Sequence, residues 1–148
     1  MSYNIIAAEI DLLAKTLLDA PVGYVEQTIA EIIKKPVYLN VVEQNSTHGT
    51  NYVRKVVIGR DQFPIVCAVS KFDSKHLPEL VILGLLQKKE SLGKILRTNN
   101  IRAQRGSVVV KFDLGRKKIT RDYEILYESS VWFQVSEEIR LDFLSACQ

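Results

Sequence analysis

The stretch that decides the fold lies near the C-terminus and reads VWFQVSEEIRLDF, residues 131–143. Successive side chains of a β-strand point to opposite faces of its sheet, so this stretch has one apolar side and one polar side. Glu137 lies in the middle of the apolar side. Moving an ionised carboxylate out of water costs several kcal/mol of free energy unless a partner compensates its charge. The pattern therefore predicts a strand with an inward-facing acid. The apolar side consists of Val131, Phe133, Val135, Ile139, Leu141 and Phe143, with Glu137 among them.

The composition is that of one globular domain. The chain has 148 residues, of which 47% are hydrophobic and 25% charged, and its formal net charge is +3. No apolar run approaches the roughly 20 residues that span a bilayer, and the N-terminus resembles neither a secretory signal nor a transit peptide. We expect a single domain over residues 1–148, with no membrane association and a cytoplasmic location.

The charged, cysteine and histidine residues predict neither a metal nor a nucleic-acid partner. The densest basic stretches, at 34–35, 97–105 and 116–118, do not alternate with aromatic residues as a nucleic-acid platform does, and are interpreted as solvated faces and loops. Cys67 and Cys147 lie far apart without metal-ligand spacing and are expected to be free thiols. His48 and His76 stand in polar loop contexts, and no nucleotide-binding, nucleophile or zinc motif occurs.

The hydrophobic spacing predicts an α+β fold. Apolar residues at helical spacing indicate two N-terminal helices, the second ending before Pro36. About six strands follow, mostly antiparallel, with two further helices in the middle of the chain. PIVCAV is apolar on both faces, which is typical of a central strand covered on both sides. In order, the predicted elements are the strand VYLNVVEQ, the polar loop NSTHGTN, the hairpin YVRKVVIG-RDQF-PIVCAVSKF, the buried helix LPELVILGLLQ, the helix SLGKIL, and the strands SVVVKFD, TRDYEILYE and VWFQVSEEIRLDF.

Two further strands carry cations on apolar sides. Arg54 shares one face of its strand with apolar residues and Lys55 shares the other, so one of these cations must point inward. Arg121 stands at the entrance of the apolar side of its own strand. These charges have two interpretations: an internal salt bridge, for example Arg54 to Glu137, or a pocket in which guanidinium groups bind a small anion. Periodicity leaves both open.

The ordered motifs YVRKVVI, DQFPIVCA, SLGKIL, TRDYEI and VSEEI resemble the chorismate lyase (chorismate pyruvate-lyase) family, from about Leu12 to Asp142. The resemblance implies a single α+β domain around a six-stranded antiparallel sheet. It also implies a cofactor-free elimination, in which chorismate loses pyruvate to give 4-hydroxybenzoate inside an internal pocket. An enzyme of this kind needs no metal, and its 4-hydroxybenzoate would feed ubiquinone or other quinone biosynthesis or another pathway, which the sequence does not decide.

The same resemblance assigns the principal site residues. The arginine that holds the ring carboxylate in the family matches Arg54, which favours it over Lys55. The acid that faces the ring hydroxyl matches Glu137, preceded by Ser136, and would orient that hydroxyl or assist proton removal. Arg121 matches the R-x-Y-x-I strand and would bind the second carboxylate, on the enolpyruvyl group.

Four smaller residues complete the implied pocket. Leu92 and Gly93 match the Leu-Gly at a helix start, where Ser91 replaces the family's proline, and Leu92 would supply a backbone amide or an apolar wall. Ala68 matches a small pocket residue that is glycine in some members. Val22 matches an apolar residue at the start of the second helix.

Two other functions remain open at this point. The first is a non-catalytic domain that senses or binds a small aromatic acid, because a similar fold forms the effector-binding half of some bacterial transcription regulators. The second is a structural or assembly factor in which Arg54 and Glu137 merely pair. We expect a monomer that acts in the cytoplasm, or in the plastid stroma if an organelle encodes it.

Overall fold

The computed structural model describes residues 12–148, in which six strands form one antiparallel sheet. The strand order is β1-β2-β3-β6-β5-β4, and every neighbouring pair is antiparallel. The predicted single-domain α+β fold is therefore confirmed. The elements are α1 (residues 12–18), α2 (Val25–Ile33), β1 (Tyr38–His48), β2 (Asn51–Arg60), β3 (Phe63–Asp73), a 3-10 turn (Ser74–His76), α3 (Glu79–Gln87), α4 (Leu92–Thr98), β4 (Gln104–Asp113), β5 (Lys118–Tyr127), β6 (Ser130–Arg140) and α5 (Leu141–Ala146).

Helices cover one face of the sheet and leave the other largely exposed. Alternate residues of β6 are buried, as the sequence predicts, and Phe133, Val135 and Ile139 are all at most 5% exposed. On β3, Cys67 points to the opposite face and is exposed. The expectation that this strand is covered on both faces is therefore wrong, because Val66 and Ser70 are buried on one face whereas Cys67 and Lys71 are exposed on the other.

The core has two apolar halves that follow the rows of paired residues across the sheet. One row runs through Ile58, Val66 and Ile139 and packs with α1, α2 and α5. The other contains Phe72 and Phe133, whose rings lie 5.4 Å apart, and packs with α3 and α4. Two rows that carry charged residues lie between these halves.

Two predicted segments differ from the structure in their boundaries. The strand β6 ends at Arg140, because Leu141 begins α5; Arg140 forms a bidentate pair with Asp142 in the first turn of that helix, at 3.0 and 2.7 Å. The polar stretch NSTHGTN consists mostly of strand ends, and the turn between β1 and β2 contains only residues 49–50. Its residues are polar because this end of the hairpin is exposed beyond the core.

The helix α3 is buried on one side only. Val81 and Leu85 pack into the core, whereas Leu80, Leu83 and Leu86 are between 48% and 63% exposed. The prediction of a buried helix therefore holds for one side of α3 and is wrong for the other. The predicted first helix is present over residues 12–18, and its more N-terminal apolar residues lie outside the described part of the chain.

Close backbone contact fixes α4 against the segment that joins α1 to α2. A Cβ at Gly93 would lie 2.3 Å from the backbone nitrogen of Gly23, and a Cβ at Gly23 would lie 2.7 Å from the carbonyl oxygen of Gly93. Gly23 also has a φ of +94°, which favours glycine. The two glycines thus allow the two segments to touch.

We expect Gly93→Ala to lower the free energy of unfolding by about 1–3 kcal/mol, because the added methyl overlaps backbone that cannot move away cheaply. The higher helix propensity of alanine offsets this loss by at most about 1 kcal/mol. Gly115→Ala is the control: its Cβ would meet only a carboxylate oxygen at 3.6 Å, and we expect a change within about 0.5 kcal/mol. Urea unfolding of both variants measures the difference, and equal stabilities would contradict the contact.

Candidate functional site

The register of the sheet brings the inward-facing charges into two adjacent rows. In one row, Glu137 pairs with Ala68 on β3 and with Arg121 on β5. In the next row, Arg54 on β2 pairs with Ser70 on β3. The rows lie two residues apart along each strand, so all their side chains point to the same, helix-covered face.

A cavity opens where small residues occupy the central strand. Ala68 and Ser70 leave space between β2 and β6 that larger side chains would fill. The space free of protein atoms is about 570 Å³, counting the part that opens to solvent. Six of the seven site residues predicted from the sequence line it: Val22, Arg54, Ala68, Leu92, Gly93 and Glu137.

Arg54 is fully buried without a carboxylate partner among the described residues. Its Nε donates to Gln44 Oε1 at 3.0 Å, and its Nη2 donates to the carbonyl oxygen of Glu90 at 2.6 Å. Its Nη1 is buried and has no hydrogen-bond partner within residues 12–148. Burial lowers the pKa of Arg54 to about 10, so the guanidinium still carries its charge at neutral pH. Lys55 points the other way and pairs with Glu43 at 3.2 Å, which resolves the choice between the two cations.

Glu137 is compensated by its neighbours on β5. Its Oε1 accepts a hydrogen bond from Arg121 Nε at 2.7 Å and lies 2.6 Å from Nη2, while its Oε2 accepts one from the Tyr123 hydroxyl at 2.8 Å. Burial and the charge of Glu137 raise the pKa of Tyr123, so the phenol remains a donor. The internal salt bridge therefore exists, but the partner of Glu137 is Arg121 and not Arg54.

This ion pair bears on the role predicted for Arg121. The side chain is 2% exposed, and its Nη1 donates to the carbonyl oxygen of Leu18 at 3.2 Å. Arg121 is absent from the residues that line the cavity. The guanidinium of Arg121 is thus bonded to Glu137 and to the last residue of α1. These contacts give no support to the prediction that Arg121 binds a ligand carboxylate.

Two chain segments cover the cavity opposite the sheet. Val22 and Gly23 belong to the connection between α1 and α2, and Leu92 and Gly93 to the start of α4. Leu92 is 8% exposed and forms an apolar wall. Ser91, where the resemblance implies a proline, caps α4 by accepting a hydrogen bond from the Lys94 amide at 3.2 Å. The Ser91 replacement therefore preserves the start of the helix.

Sequence reasoning missed Arg105, which belongs to a basic stretch interpreted as a solvated loop. It lies on β4, is half-buried and lines the cavity. Its Nη1 donates to the carbonyl oxygen of Ala20 at 2.6 Å, and its guanidinium carbon lies 5.1 Å from the ring centroid of Tyr123. The missed signal is alternation: Ile101 and Ala103, two and four residues before it, pack into the core on the same side.

Neither a metal cluster nor a membrane span is found in the described part of the chain. Within residues 12–148, no three or more His, Cys, Asp and Glu side chains are grouped so that they could hold a metal ion. No helix in that part is both long and apolar enough to cross a bilayer.

Comparisons with known proteins give structural likeness only. No family model matches the chain, and no curated protein matches its sequence. The PhnF C-terminal domain is similar over 71% of this chain and 83% of its own, with a TM-score of 0.51 and 12% identity. The ligand-binding domain of a putative GntR-family transcriptional regulator from Bordetella bronchiseptica is similar over 72% of this chain and 86% of its own, with a TM-score of 0.50 and 10% identity. The chorismate lyase-like fold predicted from the sequence is shared with these domains.

The buried pair yields a stability prediction. Arg121→Met should lower the free energy of unfolding by about 3–5 kcal/mol, because it leaves Glu137 buried without its counter-charge. The double variant Arg121→Met with Glu137→Leu should recover most of that loss, since it buries no lone charge. Arg140→Met, which removes a partly exposed arginine from a carboxylate pair, is the matched control and should cost much less. Chemical denaturation of the four proteins tests this, and a loss below about 1 kcal/mol for the first variant would contradict the pair's role.

Proposed function

We propose that this chain binds a small aromatic carboxylic acid in the cavity, with the ligand carboxylate on Arg54. The observation that carries the proposal is a fully buried guanidinium that has an unused N–H, no carboxylate partner among the described residues, and a cavity beside it. A buried charge without a counter-ion is costly, and a bidentate carboxylate is the partner that guanidinium geometry favours. Binding of an anion would therefore supply the missing compensation.

The rest of the wall suits a ring with a hydroxyl group. Val56, Leu92 and Val135 provide apolar contacts along the cavity. Glu137 lies on the same wall, and its carboxylate has lone pairs beyond those that Arg121 and Tyr123 use. A ring hydroxyl would donate to it, whereas a second carboxylate at this position would be repelled.

Structural likeness is compatible with binding as the whole function. One of the similar structures is the ligand-binding domain of a putative regulator, and most of it is matched by this chain. A binding domain requires a cavity that recognises its ligand and nothing more. We therefore give binding precedence over catalysis.

Arg54→Met should weaken the binding of 4-hydroxybenzoate about 10- to 100-fold, because the variant loses charge-assisted hydrogen bonds to the carboxylate. Lys55→Met changes the neighbouring cation, which is exposed and lies on the opposite face, and should leave the affinity unchanged. Titration calorimetry measures both, with circular dichroism as the check on folding. Equal affinities for the two variants would overturn the assignment of Arg54, and no binding by the unmodified chain would overturn this ligand class.

The second candidate function is that of a chorismate pyruvate-lyase, which the placement of Glu137 favours. Binding a ligand carboxylate does not require an acidic side chain, yet Glu137 lines the same cavity as Arg54. In the elimination, the C–O bond to the enolpyruvyl group breaks and a proton leaves the neighbouring ring carbon, which bears the hydroxyl. The ring becomes aromatic 4-hydroxybenzoate, and the released enolpyruvate gains a proton to become pyruvate.

The residues would contribute positioning and charge to that reaction. Arg54 would hold the ring carboxylate, and Glu137 would orient the hydroxyl or receive the ring proton. Arg121 and Tyr123 fix the Glu137 carboxylate by direct hydrogen bonds, so the acid would not need to reorganise during the reaction. Alignment of this kind can contribute roughly 7–11 kcal/mol to lowering a barrier.

Incubation of the purified chain with chorismate, followed by chromatography for 4-hydroxybenzoate and pyruvate, tests the lyase function. If the chain is this enzyme, Glu137→Gln should lower kcat about 10²- to 10⁴-fold, while Glu138→Gln should leave it unchanged. Glu138 is the matched control because it is the next residue, lies on the other face of β6 and pairs with Lys118 at 3.5 Å. Absence of product with tight 4-hydroxybenzoate binding would reject the lyase and leave the binding function standing.

A further inference from the structure

Arg105 is the second guanidinium on the cavity wall, and no function assigned above uses it. It starts the covered side of β4, opposite Ile125 on β5, whereas Arg54 lies on β2. Four strand spacings separate β2 from β4, which is about 19 Å measured along the sheet. Since both side chains line one cavity, they approach it from opposite sides.

The hydrogen bonds of Arg105 leave part of its guanidinium unused. Nη1 donates to the carbonyl oxygen of Ala20, and the group lies over the ring of Tyr123. Its Nε is buried and has no hydrogen-bond partner among residues 12–148. Arg105 forms no salt bridge with a described carboxylate, and Glu137 is paired with Arg121. A buried donor of this kind is normally satisfied.

The charges of the wall therefore do not balance. Glu137 and Arg121 neutralise each other, and Arg54 and Arg105 remain as two positive charges facing one cavity. A ligand with one carboxylate would compensate one of them. A ligand with two acidic groups at opposite ends would compensate both.

We propose that Arg105 is a specificity-determining residue that binds a second acidic group of the ligand, so that the site prefers dianionic ring compounds over monoanionic ones. This proposal rests on the proposed function, because it takes the first carboxylate to be on Arg54. It assigns the contact with this second, distal acidic group to Arg105 and not to Arg121. A ligand with its distal acid on a short ether arm would place that acid beyond the ring, toward β4.

Two probes isolate the distal charge. 4-Hydroxy-3-methoxybenzoate and 3-(carboxymethoxy)-4-hydroxybenzoate share the ring, the first carboxylate, the hydroxyl that would donate to Glu137 and the ether. They differ only in a carboxylate on the ether carbon. Titration calorimetry on the full chain should give at least about tenfold tighter binding of the dianion, and this preference should shrink as salt is added. Equal affinity of the unmodified chain for the two probes would overturn the role of Arg105 without touching that of Arg54.

The variants then identify the residue responsible. Arg105→Gln should weaken the dianion about 10- to 100-fold and the monoanion less than about threefold, and Arg105→Lys should recover part of the dianion affinity because it keeps the charge. Arg102→Gln, an exposed arginine three residues earlier, is the control and should change neither. Equal weakening of both probes by Arg105→Gln would overturn the proposal and indicate a packing role. If neither probe binds the unmodified chain, the proposed function itself fails, and the role of Arg105 fails with it.

Discussion

Uncompensated positive charge on the covered face of the sheet is the constraint from which the site follows. Arg54 and Arg121 are almost completely buried there, Arg105 is half-buried, and Glu137 is the only buried acid in the described part of the chain. Burial of a lone guanidinium opposes folding, so each one must find oxygen atoms. Arg121 binds a carboxylate. Arg54 donates to a side-chain amide and a backbone carbonyl, and Arg105 donates to a backbone carbonyl. Two cations on this face therefore lack a carboxylate partner among the described residues, which is the basis of the proposed anion binding.

The sequence predicts which faces are covered better than it predicts which charges meet. Alternation along β6 correctly placed Glu137 inward, because that strand has one polar face and a clean period of two. β2 has apolar residues on both faces, so its own pattern could not choose between Arg54 and Lys55; the resemblance favoured Arg54. The partner of Glu137 was missed for a different reason. Pairing of Glu137 with Arg121 follows from the register of β5 against β6, which depends on contacts between distant segments.

The other failures share a physical cause, since local composition was used where tertiary position decides. Apolar residues around α3 predicted burial, yet only one side of this helix packs into the core, and Leu83 and others are exposed on the other side. Polar residues around residues 45–51 predicted a loop, although the strands simply extend beyond the core. Arg105 was assigned to solvent because its neighbours are basic, and the structure places it where β4 passes the ring of Tyr123. In each case the free energy of packing outweighs the local preference.

The cover of the cavity explains why one scaffold is compatible with both sensing and catalysis. Gly23 and Gly93 bring the connection between α1 and α2 into contact with the start of α4, and both segments line the cavity. The backbone carbonyl of Glu90, just before α4, accepts a hydrogen bond from Arg54. The guanidinium of Arg54 is therefore bonded to the same cover. A carboxylate on Arg54 would compete for that guanidinium and bias the position of α4. A sensor can use that bias as its output, whereas an enzyme needs the cover to release product at every turnover. Under the two proposed functions, the contact of Glu137 with a ring hydroxyl would decide whether the ligand leaves unchanged or transformed, and the fold would not.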